Sequence, residues 1–317
     1  MIKSNNHVPK VINCLNIRTG GGLTLLDLFL KQLNNIDIIY VDPIGKNFKS
    51  IFKKKFSYKK NNFRNNFFTY FKIRNKKHEI YFYNGLAPIY KSKYKSYLVF
   101  HNANIFNINN SLEWFFSRDF LRNIYFKLFS KNIDTFIVFT KHAKKILINQ
   151  SINPKKISFL DISKNIKIKK IVNLKKNIDF IYPASELPHK NHIILMKAWV
   201  ELSKKNIRPS LQLTIPSESS LYKYIYKLKK KYNLNIYNKV FSYKDLNIRY
   251  NSSKALIYPS LNETLGIPLF EARSINLPIL CSENLINIID YHKVTYFNPL
   301  DYHSISNSII KYLDINK

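Results

Sequence analysis

Residues 178–216 read IDFIYPASELPHKNHIILMKAWVELSKKNIRPSLQLTIP. The first eight, IDFIYPAS, are near-continuously apolar rather than alternating, which is how a strand covered on both faces is written. IILMKAWVELSKK (193–205) places its apolar residues at helical spacing, and LQLTIP (211–216) is a second apolar run. Strand, helix, strand in this order is the repeating unit of a parallel α/β sheet.

The same alternation extends both ways. Downstream come a helix in YKYIYKLKKKY (222–232), a strand in KALIYPS (254–260), a helix from about Pro268, a strand in LPILCS (277–282) and a last helix in DYHSISNSIIKYL (301–313). Upstream, VINCLNI (11–17), IDIIYVD (36–42), HEIYFYN (78–84), YLVFHN (97–102), TFIVFT (135–140) and KISFLDI (156–162) read as strands, with helices in LTLLDLFLKQL (23–33) and HAKKILINQ (142–150). The basic stretch Lys164–Lys176, KNIKIKKIVNLKK, has little core character and marks a boundary. The expectation is two doubly wound, Rossmann-like α/β domains, 1–172 and 173–317, facing a cleft. Ligands in such sheets bind beyond the carboxyl ends of the strands.

Composition limits what such a chain can be. Its 317 residues are 45% hydrophobic and 15% aromatic, which supports two packed cores and excludes a disordered chain. Lys and Arg number 52 against 19 Asp and Glu, a formal +33 that favours anionic partners. The abundance of Lys, Asn and Ile is also what AT-rich codons produce, so charge alone names no partner. Two cysteines, Cys14 and Cys281, form neither a disulfide framework nor a zinc cluster and suit a reducing compartment. MIKSNNHVPK at the start lacks the apolar core of a signal peptide, and no apolar run approaches the ~20 residues of a membrane span. A cytoplasmic protein, soluble or peripheral, is expected.

Three segments could carry chemistry. Gly20-Gly21-Gly22 lies between the first strand and the first helix, where it can be a tight turn or a loop whose amides receive an anion. Lys190 stands at the start of the 193–205 helix, where the dipole already favours an anion; it is either a solvated charge or a phosphate ligand shared with the helix amides. His189 and His192 beside it lack further ligands for a metal. PSLNETLGIPLFEA (259–272) places Glu263 and Glu271 eight residues apart, with Gly266 and Pro268 between. Gly266 lets the backbone approach a ligand, and Pro268 suits the first turn of a helix. Each glutamate alone reads as a surface or capping residue. Together, if both point into one crevice, they suit paired sugar hydroxyls.

These segments resemble the family-4, group 1 type glycosyltransferases of the GT-B fold. The Glu-x7-Glu of Glu263–Glu271 is similar to that family's hallmark, YPASELPHKNHIILMKAW to its phosphate-binding strand and helix, and Tyr296–Asp301 (YFNPLD) to its late turn. The likeness covers about 178–313 well and the first half loosely, through Gly20–Gly22 and His101-Asn102. It implies a retaining, metal-independent hexosyl transfer (EC 2.4 class) from a nucleotide-diphosphate sugar to a lipid-linked or saccharide acceptor in cell-surface polysaccharide assembly, O-antigen included. It implies donor contacts from Gly20, Gly21, Gly22, Ser185, Lys190, Glu263, Thr264, Leu265, Gly266 and Glu271. His101, Lys190 and Glu263 are implied as catalytic, with no metal and no cofactor. Base contacts are placed near Phe241–Lys244. One departure stands out: members often carry an Arg six residues before the Lys, and here that position is Ala184. Ser185, His189 or Arg18 would then have to help with the diphosphate. No Asp-x-Asp triplet occurs in the chain, which suits protein cations in place of a metal. The competing readings are a GT-B nucleotide-sugar epimerase and a non-catalytic basic binding protein.

Residues 46–95 hold fifteen Lys or Arg against the single acid Glu79, threaded with aromatics from Phe52 to Phe71. Such interleaving suits an anionic inner-membrane surface. It could also serve nucleic acid, but no nucleic-acid module is visible and that partner is not expected.

Overall fold

The computed structural model describes residues 8–15, 21–41, 55–60, 65, 71, 77–83, 85–101, 103–106 and 118–315. The chain divides into two compact units, residues 1–165 and 166–317.

In the first unit the described strands are β1 (Lys10–Cys14), β2 (Ile36–Val41), β3 (Phe56–Tyr58), β4 (Glu79–Phe82), β5 (Ser96–Val99), β6 (Thr135–Val138) and β7 (Ile157–Phe159). They form one sheet in the order β3-β2-β1-β4-β5-β6-β7 with every recorded pairing parallel. The described helices are α1 (Gly21–Leu30), α2 (Arg118–Phe129) and α3 (Lys141–Asn149). Val11, Ile80, Phe82, Leu98, Phe136 and Val138 bury one face of the sheet. Every residue of β1, β4 and β5 is buried, so these near-continuous apolar runs mark strands covered on both sides. α1 starts two residues earlier than its apolar periodicity suggests. Gly21 and Gly22 are its first two residues, and the first four N–H groups of a helix have no intrahelical acceptor.

The second unit carries β8 (Ile178–Tyr182), α4 (His192–Lys204), β9 (Leu211–Leu213), α5 (Ser220–Tyr232), β10 (Ile236–Asn238), α6 (Tyr243–Asn251), β11 (Ser253–Tyr258), α7 (Ile267–Ser274), β12 (Ile279–Ser282), β13 (Val294–Phe297) and α8 (Tyr302–Ile315). Its sheet runs β10-β9-β8-β11-β12-β13, again parallel. The strand order reverses at β8, which pairs with β9 on one side and β11 on the other. A crevice at the carboxyl ends of β8 and β11 is where such a sheet accepts ligands. The segments that follow these two strands hold Lys190 and Glu263.

The basic stretch after Lys164 is not free of core residues. Ile166 and Ile168 are buried, and the amides of Ile168 and Ile171 donate to Ser274 Oγ (3.1 Å) and Asn251 Oδ1 (2.8 Å). Isoleucines alternate there with lysines, so one side seals onto the second unit while the charges stay in water.

Candidate active site

The site is built on two strands that end alike. Ile181-Tyr182-Pro183 closes β8, and Ile257-Tyr258-Pro259 closes β11 beside it. Both tyrosine rings are buried and meet edge to face, with centroids 5.6 Å apart. Proline cannot continue a ladder, so each chain leaves the sheet at that point. Both hydroxyls are then left at the carboxyl edge.

From β8 the chain passes Pro188–Lys190, a single helical turn, and reaches Asn191 in the left-handed conformation, φ 59°. The Tyr182 hydroxyl donates to the Lys190 carbonyl (2.6 Å). Asn191 Nδ2 donates to the carbonyls of Pro259 (3.2 Å) and Pro299 (2.7 Å), and the Leu261 amide donates to His189 O (2.8 Å). Three loops, after β8, β11 and β13, are thereby tied together by one buried amide side chain and one backbone bond. The YFNPLD turn takes part through Pro299.

Lys190 Nζ donates to Glu263 Oε1, and the same oxygen accepts from the hydroxyls of Ser260 (2.7 Å) and Tyr258 (2.8 Å). Both partners are largely withdrawn from water, with side-chain exposures of 15% for Lys190 and 11% for Glu263. Burial pushes the Glu263 carboxyl up. The Lys190 charge and the three hydrogen bonds outweigh it and hold the group below its ordinary value. Lys190 also lies 5.6 Å from the Tyr258 ring centroid.

Gly266 takes φ +68°, and a Cβ there would come within 3.0 Å of Leu269 Cδ1, so the turn into α7 needs glycine. Leu265 and Gly266 are buried, Thr264 half-buried. Glu271 lies in the second turn of α7 and is buried; its Oε2 accepts from the Tyr250 hydroxyl at 2.7 Å. Burial raises the Glu271 carboxyl above its ordinary range, with the Tyr250 bond opposing. Each glutamate is thus held by its own tyrosine.

The remaining predicted residues fall as follows. Ser185 is exposed, and its carbonyl accepts from His192 Nε2 (2.9 Å). This bond fixes Nε2 as the protonated nitrogen, and His192 Nδ1 is buried without a partner. Burial pulls His192 down to about 4, so its ring is neutral at ordinary pH. Ala184 is buried. His101 is in the first unit, two residues past β5; its Nδ1 donates to Val99 O (3.2 Å), its ring stacks on Tyr83 at 5.1 Å, and burial lowers its pKa. Gly20, Arg18 and Asn102 lie outside the described residues, as do Lys46, Lys49, Lys53, Lys54, Arg64, Lys72, Arg74 and Lys76 of the basic stretch. A separate cavity of about 560 Å³, lined among others by Tyr226, Lys229, Tyr237, Phe241 and Arg249, shares no residue with the Lys190–Glu263 cluster.

The sequence reading passed over Tyr182, Tyr250, Tyr258, Ser260 and Asn191. The repeated Ile-Tyr-Pro at the ends of two strands was the available signal for two of them.

Residues 163–316 match the family model for glycosyl transferases group 1. The chain is 27% identical over 217 residues to the O-antigen chain mannosyltransferase RfbU of Salmonella typhimurium, covering 62% of this chain and 57% of that protein. The chain therefore aligns with little more than half the length of that curated relative. Among solved structures, Anabaena HepE in complex with UDP and glucose superposes with a TM-score of 0.71 at 12% identity, over 97% of this chain and 90% of that one. Sucrose-phosphate synthase from Thermosynechococcus elongatus gives 0.71 at 15% identity, with the same coverage. The parallel sheets and the family match agree: the second unit of the chain is similar over nearly its whole length to glycosyl transferases group 1.

Proposed function

We propose that the chain is a retaining, metal-independent glycosyltransferase. It moves a hexosyl group from a nucleotide-diphosphate sugar to a saccharide or lipid-linked acceptor in O-antigen-type polysaccharide assembly. The observation that carries this reading is the Lys190–Glu263 pair at the carboxyl ends of β8 and β11, with Glu271 on the next helix. The names of the relatives support it: one is a mannosyltransferase, another was solved with UDP and glucose.

In this reading Lys190 shifts from Glu263 to the leaving diphosphate, where negative charge grows as the glycosidic bond breaks. A cation brought to the leaving oxygen contributes several kcal/mol there, less what its separation from Glu263 costs. Glu263, with the Thr264–Gly266 backbone, holds the sugar, and Glu271 accepts from the ribose hydroxyls. The missing triplet of aspartates supports protein cations in the role a metal takes elsewhere. The roles of His101 and Gly20–Gly22 rest on the resemblance alone.

The reading also places the enzyme at the inner face of the cytoplasmic membrane, on the strength of the basic, aromatic-rich 46–95 segment. Among the described residues no helix is long and apolar enough to cross a membrane. The test is the rate of transfer from UDP-, GDP- and dTDP-sugars at sub-saturating donor: Glu271→Ala and Lys190→Ala should each lower it at least tenfold while the fold persists. Full activity in both variants would defeat the assignment.

A further inference from the structure

Four residues of the second unit form two nested pairs. Tyr250 and Tyr258 are eight residues apart, as are Glu263 and Glu271. The inner pair, Tyr258 and Glu263, joins at 2.8 Å, and the outer pair, Tyr250 and Glu271, at 2.7 Å. Neither tyrosine is a surface group. Tyr250 is 0% and Tyr258 1% exposed, so each ring is clamped by its surroundings and has one direction for its O–H. Burial, then the facing carboxylate, keeps both phenols well above their ordinary pKa, so both remain donors at any working pH.

Each bond engages a single oxygen. Glu263 Oε1 takes Tyr258, Ser260 and Lys190, and Glu271 Oε2 takes Tyr250. Among the described residues the second oxygen of each, Glu263 Oε2 and Glu271 Oε1, accepts no hydrogen bond. A carboxylate gripped by one oxygen loses its rotation and presents the other in a set direction. That is the condition for recognising a hydroxyl by geometry rather than by charge alone.

We propose that Tyr250 and Tyr258 are positioning residues that orient Glu271 and Glu263 toward the hydroxyls of the sugar donor. The inference rests on the transferase reading above, and it assigns to two buried phenols a part in donor recognition that packing alone would not give them. The two pairs divide the work. Tyr258 acts on the carboxylate that also holds Lys190, next to the bond that breaks. Tyr250 acts on the carboxylate assigned to the ribose, remote from it. A Tyr258 defect belongs in turnover, and a Tyr250 defect in donor affinity.

The test uses the full chain, Tyr250→Phe, Tyr258→Phe and the double variant Tyr250→Phe/Glu271→Ala, with the donor sugar the wild type turns over best. Phenylalanine keeps the ring and removes one oxygen; circular dichroism confirms that each variant is folded. Tyr250→Phe should raise the donor KM roughly tenfold with kcat within about twofold, the size expected for one charge-assisted bond. Tyr258→Phe should lower kcat roughly tenfold with KM little changed. The double variant should be no worse than Glu271→Ala alone. Wild-type KM and kcat in both tyrosine variants, equal losses of both parameters, or an additive double variant would each overturn the proposal while leaving the transferase reading intact. A wild type that transfers no sugar from any donor would instead refute that reading, and the proposal with it.

Discussion

Replacing Lys190 by methionine is the most informative single perturbation of the second unit. The methionine fills much the same volume, but it leaves Glu263 with hydroxyl donors and no cation. Removing one member of a fully buried ion pair costs about 3–5 kcal/mol. Here the side chains keep 15% and 11% of their exposure, and Tyr258 and Ser260 still donate to the carboxylate. These two facts reduce the expected loss to about 2–3 kcal/mol at neutral pH. For a unit of about 150 residues, each kcal/mol moves the midpoint by about 2–4 °C, so the second unit should melt about 4–12 °C lower. The loss must also depend on pH. The wild-type carboxyl lies below its ordinary 4.5, so its stabilisation is complete above about pH 4.5 and fades as pH falls through the folded-state value. In the variant the burial that raises this group is no longer opposed by Lys190, and protonation relieves the isolated charge. The gap between wild type and Lys190→Met should therefore be widest near pH 7 and shrink below about pH 4.5, and Lys190→Met/Glu263→Gln should recover most of it. Scanning calorimetry of the full chain from pH 4 to 8 measures all of this. A gap that does not change with pH, or a double variant that loses the sum of two single losses, would refute the buried-pair reasoning.

Further predictions concern the loops around that pair. His192 is held neutral down to about pH 4, whereas an unfolded histidine protonates near 6.5. Stability is then complete above about 6.5 and declines by about 3 kcal/mol as pH falls toward 4; His192→Asn should flatten this decline in denaturant titrations, and an unchanged slope would contradict it. Gly266→Ala forces a Cβ into left-handed backbone against Leu269 and should cost about 1–2 kcal/mol; a neutral result in urea melts would show that the turn relaxes. Asn191→Gly and Asn191→Ala both lose the bonds to Pro259 and Pro299, but only alanine strains the φ of 59°. The alanine variant should therefore be about 1 kcal/mol less stable than the glycine variant, and equal stabilities would remove the conformational part of the argument.

The second unit was largely legible from sequence because its strands are buried on both faces and its helices follow at regular intervals. The runs 180–182 and 255–258 are apolar without alternation, and that is what central parallel strands require. Short edge elements were not legible: Phe56–Tyr58 and Ile236–Asn238 have three residues each and too few positions to show a period. Tyr243–Asn251 was missed because it is polar along most of its length and is tied down by the Ser242 cap rather than by an apolar stripe. Within the site, charge and spacing pointed to Lys190, Glu263 and Glu271. The tyrosines that hold the carboxylates read as core residues, since a phenol in an apolar run looks the same whether its oxygen is idle or engaged. The glutamates themselves were expected to share one crevice; the structure ties Glu263 to the β8–β11 loops and Glu271 to α6.

The most direct test of the account is calorimetric titration of the full chain and of Glu271→Ala with UDP, GDP and dTDP. The account predicts that one of these nucleoside diphosphates binds the wild type and raises its melting temperature, and that the variant binds it at least tenfold more weakly with its own fold retained. Binding of none of the three, or the same affinity in both proteins, would contradict it.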